Sequence, residues 1–207
     1  MLDVAIDAGA AYAGLVFEPR SVRDISIKQA AQLTAHAGQR IKIVALFVDP
    51  IDTLIDEVAE IVKPHMLQLH GKESVERTGL IKQRAGLPII KAIGVRDSSD
   101  PAKARPYVDV ADLILFDTKP LEDTQNVLPG GSGQAFDWNL VHNALNCPFM
   151  LAGGLRSENV QTAIEQSGAG SVDVSSAVEN APGQKDAGLI REFIAAAHGS
   201  LGSKAPN

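Results

Sequence analysis

Asp117 follows the run Leu113-Ile114-Leu115-Phe116, which carries it from an apolar segment straight to a strand end. A carboxylate with one apolar flank holds its proton more readily and can act as a general acid. An aspartate that caps a turn fits the same position equally well. Further along, Gly153-Gly154 stands just ahead of a helical segment, and Ser175-Ser176 comes after the next strand. Glycine lets the backbone approach an anion, and N–H groups at a helix start bind it. Two such loops on consecutive units suit a phosphate, although a single Gly-Gly pair is more often a simple turn. The run PGGSGQAFDW, residues 129–138, is a long connection, and Gly131, Ser132 and Gly133 within it suit a cover over a ligand. A plain surface loop is the alternative, and Asp137 is placed to cap the next helix.

Other polar residues also fall at strand ends: Glu18, Arg20, Ser21 and Arg23 after one strand, His70 and Gly71 after another. On position alone His70 reads as a structural histidine and Arg23 as a solvated surface arginine. Cys147 precedes Pro148 at the start of a strand, the end remote from chemistry, and reads as a buried small hydrophobe.

The elements that must position these residues are short apolar runs alternating with helical patterns. Strands are expected at residues 12–17, 41–48, 65–70, 88–93, 113–117, 148–152 and 171–175. Runs such as IKIVALFV and DLILFD are nearly continuously apolar, as parallel strands covered on both faces should be. Between them, Ser26 and Gln29 form a capping box, and Asp49 with Pro50 reads as the cap and first residue of a helix. That helix carries the stripe Ile51, Leu54, Ile55, Val58, Ile61 and Val62. Ser157 is placed to cap the helix carrying Val160 and Ile164, and Leu189, Ile190, Phe193 and Ile194 mark a last helix. The chain opens in a helical segment, residues 2–8, closed by Gly9. Repeated βα units imply either an open doubly wound sheet or a (β/α)₈ barrel, with chemistry at the C-terminal strand ends. No composition shift divides residues 1–198, which read as one domain, and residues 199–207 read as a disordered tail.

At 207 residues and 45% hydrophobic content the chain can bury a sizeable core. Its net charge of −6 argues against nucleic acid or a membrane surface as partner, and not against an anionic small molecule held in a locally positive pocket. A single cysteine excludes an internal disulfide framework, and no apolar run reaches the roughly 20 residues of a membrane span. The opening lacks the basic region of a signal peptide, so a cytoplasmic enzyme is expected.

In order along the chain, GLVFEPRSVRDIS, VALFVD, MLQLHG, IIKAI, LILFDT, GGSGQAFDW, LAGGL with ENV, and VDVSSAVE with PG and KD resemble the phosphoribosylanthranilate isomerase family. The likeness runs from about Leu2 to about Ala196. LAGGL alone is unspecific, whereas VDVSS-VE together with GGSG–FDW is highly specific. The resemblance implies a (β/α)₈ barrel and an Amadori rearrangement of N-(5-phosphoribosyl)anthranilate, without cofactor or metal. An acid opens the furanose to a Schiff base, and a base then removes the proton from ribose C2. The acid falls on Asp117, the anthranilate-carboxylate contact on Arg23, and the phosphate on Gly153, Gly154, Ser175 and Ser176. His70 and the loop of Gly131, Ser132 and Gly133 would line the pocket.

One motif of the family is missing. Its first strand carries K-[IV]-C-G-[LIM], whose cysteine is the general base, and Met1 aligns inside the helix after that strand. The expectation is an N-terminally truncated barrel of about seven strands, from a misplaced initiation codon or a shortened gene, with its general base absent. Unpaired strand edges then invite self-association. A catalytically dead remnant that only binds sugar phosphates or a partner is the second reading. A related phosphate-binding barrel isomerase is a third, disfavoured by GGSGQAFDW.

Overall fold

The computed structural model describes residues 1–119 and 135–201. Seven strands join one sheet in chain order: β1 (Tyr12–Phe17), β2 (Lys42–Phe47), β3 (Met66–Leu69), β4 (Ile89–Val95), β5 (Leu113–Thr118), β6 (Phe149–Leu151) and β7 (Ser171–Val172). The registers of β1 with β2, β2 with β3, β3 with β4, β5 with β6 and β6 with β7 are all parallel. The expected seven parallel strands of an α/β protein are therefore present, the last cut to two residues. Two compact units divide the chain, one of Leu2–Ala92 with Pro106–Asp112, the other of Ile93–Arg105 with the chain from Leu113 onward.

In the first unit, helices α1 (Leu2–Asp7), α2 (Ile27–Ala37), α3 (Asp52–Glu57) and α4 (Val75–Ala85) accompany the strands. Gly9 closes the opening helix at φ +91°, as expected of a residue in the left-handed region. The capping box at α2 forms: the Ser26 hydroxyl accepts the Gln29 N–H, and the Gln29 side chain accepts the Ser26 N–H. Ile43, Phe47, Leu67, Leu69, Ile81 and Ile89 are fully buried, and Phe17 stacks on Phe47 at 5.4 Å between ring centroids.

Asp49 does not cap α3. It sits at φ +48°, its carboxylate accepts the Lys72 N–H at 2.7 Å, and its own N–H donates to Glu73 at 2.8 Å. The N-cap is Ile51, which makes no side-chain cap, so Pro50 lies outside the helix rather than at its first position. Beyond Glu57 the helix widens into a π turn, Val58–Val62, closed by the Lys63 N–H on the Val58 carbonyl at 3.2 Å. The expected stripe is broken twice, at Ile51, which precedes the helix, and at Ile61, inside the wider turn. Ile55, Val58 and Val62 are buried, whereas Ile51 and Ile61 are exposed.

A buried ion pair ties the loops of this unit to β4. The Lys91 ammonium donates to Glu73 Oε2 at 2.9 Å and to the carbonyls of Gly71 and Leu69. Both side chains are almost fully buried. Glu73 also accepts the N–H of Gly71, and its own carbonyl accepts the Tyr107 hydroxyl. Burial, and then the Glu73 charge, push the Tyr107 phenol above its ordinary range. Lys91→Met strands the Glu73 carboxylate in this dry site. We expect a loss of about 3–5 kcal/mol, read as a lowered urea midpoint at unchanged slope. A midpoint like that of the parent would show that the pair stabilises little.

In the second unit, α5 (Val160–Ser167) and α6 (Ala187–Leu201) pack on each other and accompany β5, β6 and β7. Leu115, Phe116, Val141, Leu151, Val160 and Ile164 are fully buried, and Phe116 meets Phe149 edge-on at 5.2 Å. Asp137 caps the short 3₁₀ turn Trp138–Val141 by accepting the Asn139 N–H. Ser157 does not cap α5; its hydroxyl donates to Glu192 at 3.2 Å, and Asn159 holds the cap position. Cys147 is half-buried rather than buried, because the residues on either side of it, Asn146 and Pro148, are exposed. Helix α6 continues through Gly199 to Leu201, into the stretch expected as a tail. An unexpected antiparallel hairpin, β8 (Glu179–Ala181) and β9 (Gln184–Lys185), stands between β7 and α6.

Candidate active site

β5 delivers its aspartate as expected. Asp117 is 5% exposed behind fully buried Phe116, and its Oδ1 accepts the Thr118 N–H at 2.7 Å. The chain after β6 turns tightly against it. Gly153 has φ +88°, and a Cβ there would lie 2.3 Å from Thr118 Oγ1 and 2.9 Å from Asp117 Oδ1. Only glycine fits, for conformation and for space together. Gly154 comes next at φ +65°, its carbonyl accepting the Asn159 amide at 3.0 Å, while Asn159 Oδ1 accepts the Arg156 N–H. The side chain at the start of α5 thus braces the glycine loop instead of capping the helix. Ser175 leads into a 3₁₀ turn, Ser176–Val178, and both serines are half-buried. Asp117, Gly153, Gly154, Ser175 and Ser176 all belong to the second unit.

Nearby in that unit, Asp100 accepts the N–H groups of Arg96 and Asp97 and pairs with Lys103. Burial pushes its carboxyl up, but Lys103, those two N–H groups and Lys119 outweigh it and hold the group below its ordinary range.

The first unit holds the other two expected residues. After β1 the chain turns on Glu18, which is 6% exposed and donates its N–H to Asp24. The Arg20 guanidinium on the Glu18 carboxylate keeps that acid below its usual range, against the opposing effect of burial. Arg23 lies further along this turn, half-buried, its N–H donating to the Ser21 hydroxyl. His70, at the end of β3, donates its N–H to the Phe47 carbonyl and accepts the Gln68 amide on Nδ1 at 3.1 Å. Gly131, Ser132 and Gly133 lie outside the described residues.

Sequence reading missed Lys91, Glu73, Glu179 and Lys185. A lysine inside the apolar run IIKAI and a Pro-Gly pair just before Lys185 were the available signals. The first marks a buried cation needing a partner, and the second marks a hairpin turn.

Parallel strands that bring a buried carboxylate and two small-residue loops to their C-terminal ends are the arrangement of a βα enzyme, whether open-sheet or barrel. Residues 1–196 match the family model of N-(5'phosphoribosyl)anthranilate (PRA) isomerase, and the chain belongs to that family. It is 48% identical over 200 residues to the N-(5'-phosphoribosyl)anthranilate isomerase of Rhodopseudomonas palustris, covering 96% of this chain and 91% of that one. The crystal structure of phosphoribosyl anthranilate isomerase from Thermotoga maritima superimposes with a TM-score of 0.84 at 37% identity, covering 95% of this chain and 92% of that one. A further isomerase structure, in complex with reduced 1-(o-carboxyphenylamino)-1-deoxyribulose 5-phosphate, gives 0.80 at 34% identity, covering 95% of this chain and 91% of that one.

Proposed function

We propose that this chain is a phosphoribosylanthranilate isomerase of tryptophan biosynthesis, acting in the cytoplasm on a phosphorylated small molecule. The observation that carries the reading is the contact between the Gly153 turn and Asp117, which sets an acid beside a loop suited to phosphate. Family membership and the phosphorylated ligand of a 34% identical relative support it. Asp117 donates the proton that opens the furanose. Backbone N–H groups around Gly153, Gly154, Ser175 and Ser176 hold the 5-phosphate, and positive helix ends favour its charge. Arg23 takes the anthranilate carboxylate and His70 lines the pocket, roles that rest on the family resemblance.

The base is a thiolate that the family carries in K-[IV]-C-G-[LIM]. Residues 1–207 contain no such run, and Cys147 lies at the wrong end of β6. Conversion of N-(5-phosphoribosyl)anthranilate should be assayed with this chain alone and with a strand ending in Cys-Gly placed ahead of Met1. Product from neither form would exclude the reading.

A further inference from the structure

The hairpin β8–β9 has no role in the reaction as described, yet its last residue reaches back to the phosphate loop. Lys185 Nζ lies 2.8 Å from the Ser175 carbonyl, 3.3 Å from Ser175 Oγ and 2.8 Å from Glu179 Oε1. An ammonium has three N–H donors, so these acceptors use all of them. Lys185 therefore has no donor left for a ligand and must act through Ser175. Its anchor is well built. The Glu179 side chain is 4% exposed, and its other carboxylate oxygen accepts the Gly183 N–H at 3.2 Å. Gly183 turns the hairpin at φ +78°, so one carboxylate fixes both the turn and the lysine.

Ser175 is constrained in two ways. No cis peptide bond is present among the described residues, so the Ser175 carbonyl and the Ser176 N–H point in opposite directions. Holding the carbonyl toward the hairpin turns the Ser176 N–H away from it. The carbonyl also accepts the Val178 N–H at 3.4 Å, which fixes the same peptide plane a second time. Where Lys185 occupies a lone pair of the Ser175 hydroxyl, the hydroxyl hydrogen is directed elsewhere, ready for an anionic oxygen.

We propose that Lys185, anchored by Glu179, is a positioning residue that locks the Ser175–Ser176 peptide with its N–H toward the substrate phosphate. Without it only the 3.4 Å bond from the Val178 N–H holds that carbonyl back, and the peptide flips more readily to present its oxygen to the anion. This rests on the phosphate assignment above and adds the device that enforces it.

The test uses the 207-residue chain and inorganic phosphate, followed by amide NMR. In the parent, the Ser176 N–H resonance should move on titration and saturate. Lys185→Met should weaken phosphate binding roughly tenfold, and Lys185→Arg should restore most of it. Glu179→Gln, which keeps the lysine and loosens its anchor, should weaken binding a few-fold and serves if Lys185→Met does not fold. A parent Ser176 amide that ignores phosphate, or Lys185→Met binding as the parent does, overturns the proposal. In an active form, Lys185→Met should raise KM for the phosphorylated substrate and leave kcat within about twofold, a split that general loosening of the fold would not give. Lys185-dependent phosphate binding with no isomerisation even in the form carrying the Cys-Gly strand would defeat the isomerase reading alone. Isomerisation with KM unchanged in Lys185→Met would defeat the clamp alone.

Discussion

Asp117→Asn, in a form carrying the Cys-Gly strand, is expected to lower kcat by about 10²–10⁴ while product-analogue binding stays near the parent value. The amide keeps the carboxylate's shape, and its carbonyl oxygen can still accept the Thr118 N–H that Asp117 Oδ1 now accepts. It has no carboxylic proton to give to the furanose oxygen. Asp117 is enclosed, with buried Phe116 behind it and the Gly153 turn against it, so water is poorly placed to replace it as a proton donor. Calorimetric titration with a reduced product analogue separates the two effects. Turnover that survives the substitution would remove Asp117 from the chemistry. Binding that collapses with it would make Asp117 a structural brace for the glycine turn.

The second large effect concerns the base. Fusing a strand that ends in Cys-Gly ahead of Met1 should raise kcat/KM over that of the unfused chain by about 10²–10⁴, the usual contribution of a positioned base. A matched fusion ending in Ser-Gly supplies the strand and its backbone hydrogen bonds without a thiolate. It should recover stability and leave most of the rate unrecovered. Equal rates for the two fusions would show that the thiol adds nothing to what the strand supplies. High activity in the unfused chain would mean that a residue within 1–207 serves as base.

Features that depend on neighbours in sequence are legible there. The run LILF ahead of Asp117 marks a buried strand ending in a carboxylate, and β5 is built that way. Ser26 and Gln29 are three residues apart, and the capping box forms between them. Gly153 and Gly154 suggest a close backbone approach, and both adopt positive φ. Partners far apart in the chain are not legible. Asp49 looks like a cap until Lys72 and Glu73, more than twenty residues on, claim its carboxylate and its N–H. Ser157 looks like a cap until Glu192 in α6, far along the chain, engages its hydroxyl. Lys91 sits in an apolar run that suggests only a strand, because its counter-charge arrives from a loop eighteen residues earlier. The grip of Lys185 on Ser175 depends on the hairpin, and a lone Pro-Gly does not reveal where the strand after it points.

The π turn at Val58–Val62 bears on how this helix tolerates a change of length. A π turn is what a helix shows when it absorbs one extra residue without shifting the elements on either side. Its outward positions here, Glu60 and Ile61, are exposed, so the surplus residue is carried on the solvent side. Removing one residue from this stretch can therefore leave a plain α-helix between the same two strands. Insertions and deletions in the helix need not disturb the spacing of β2 and β3, and single-residue gaps placed here would be neutral for the strand ends where His70 and its neighbours sit.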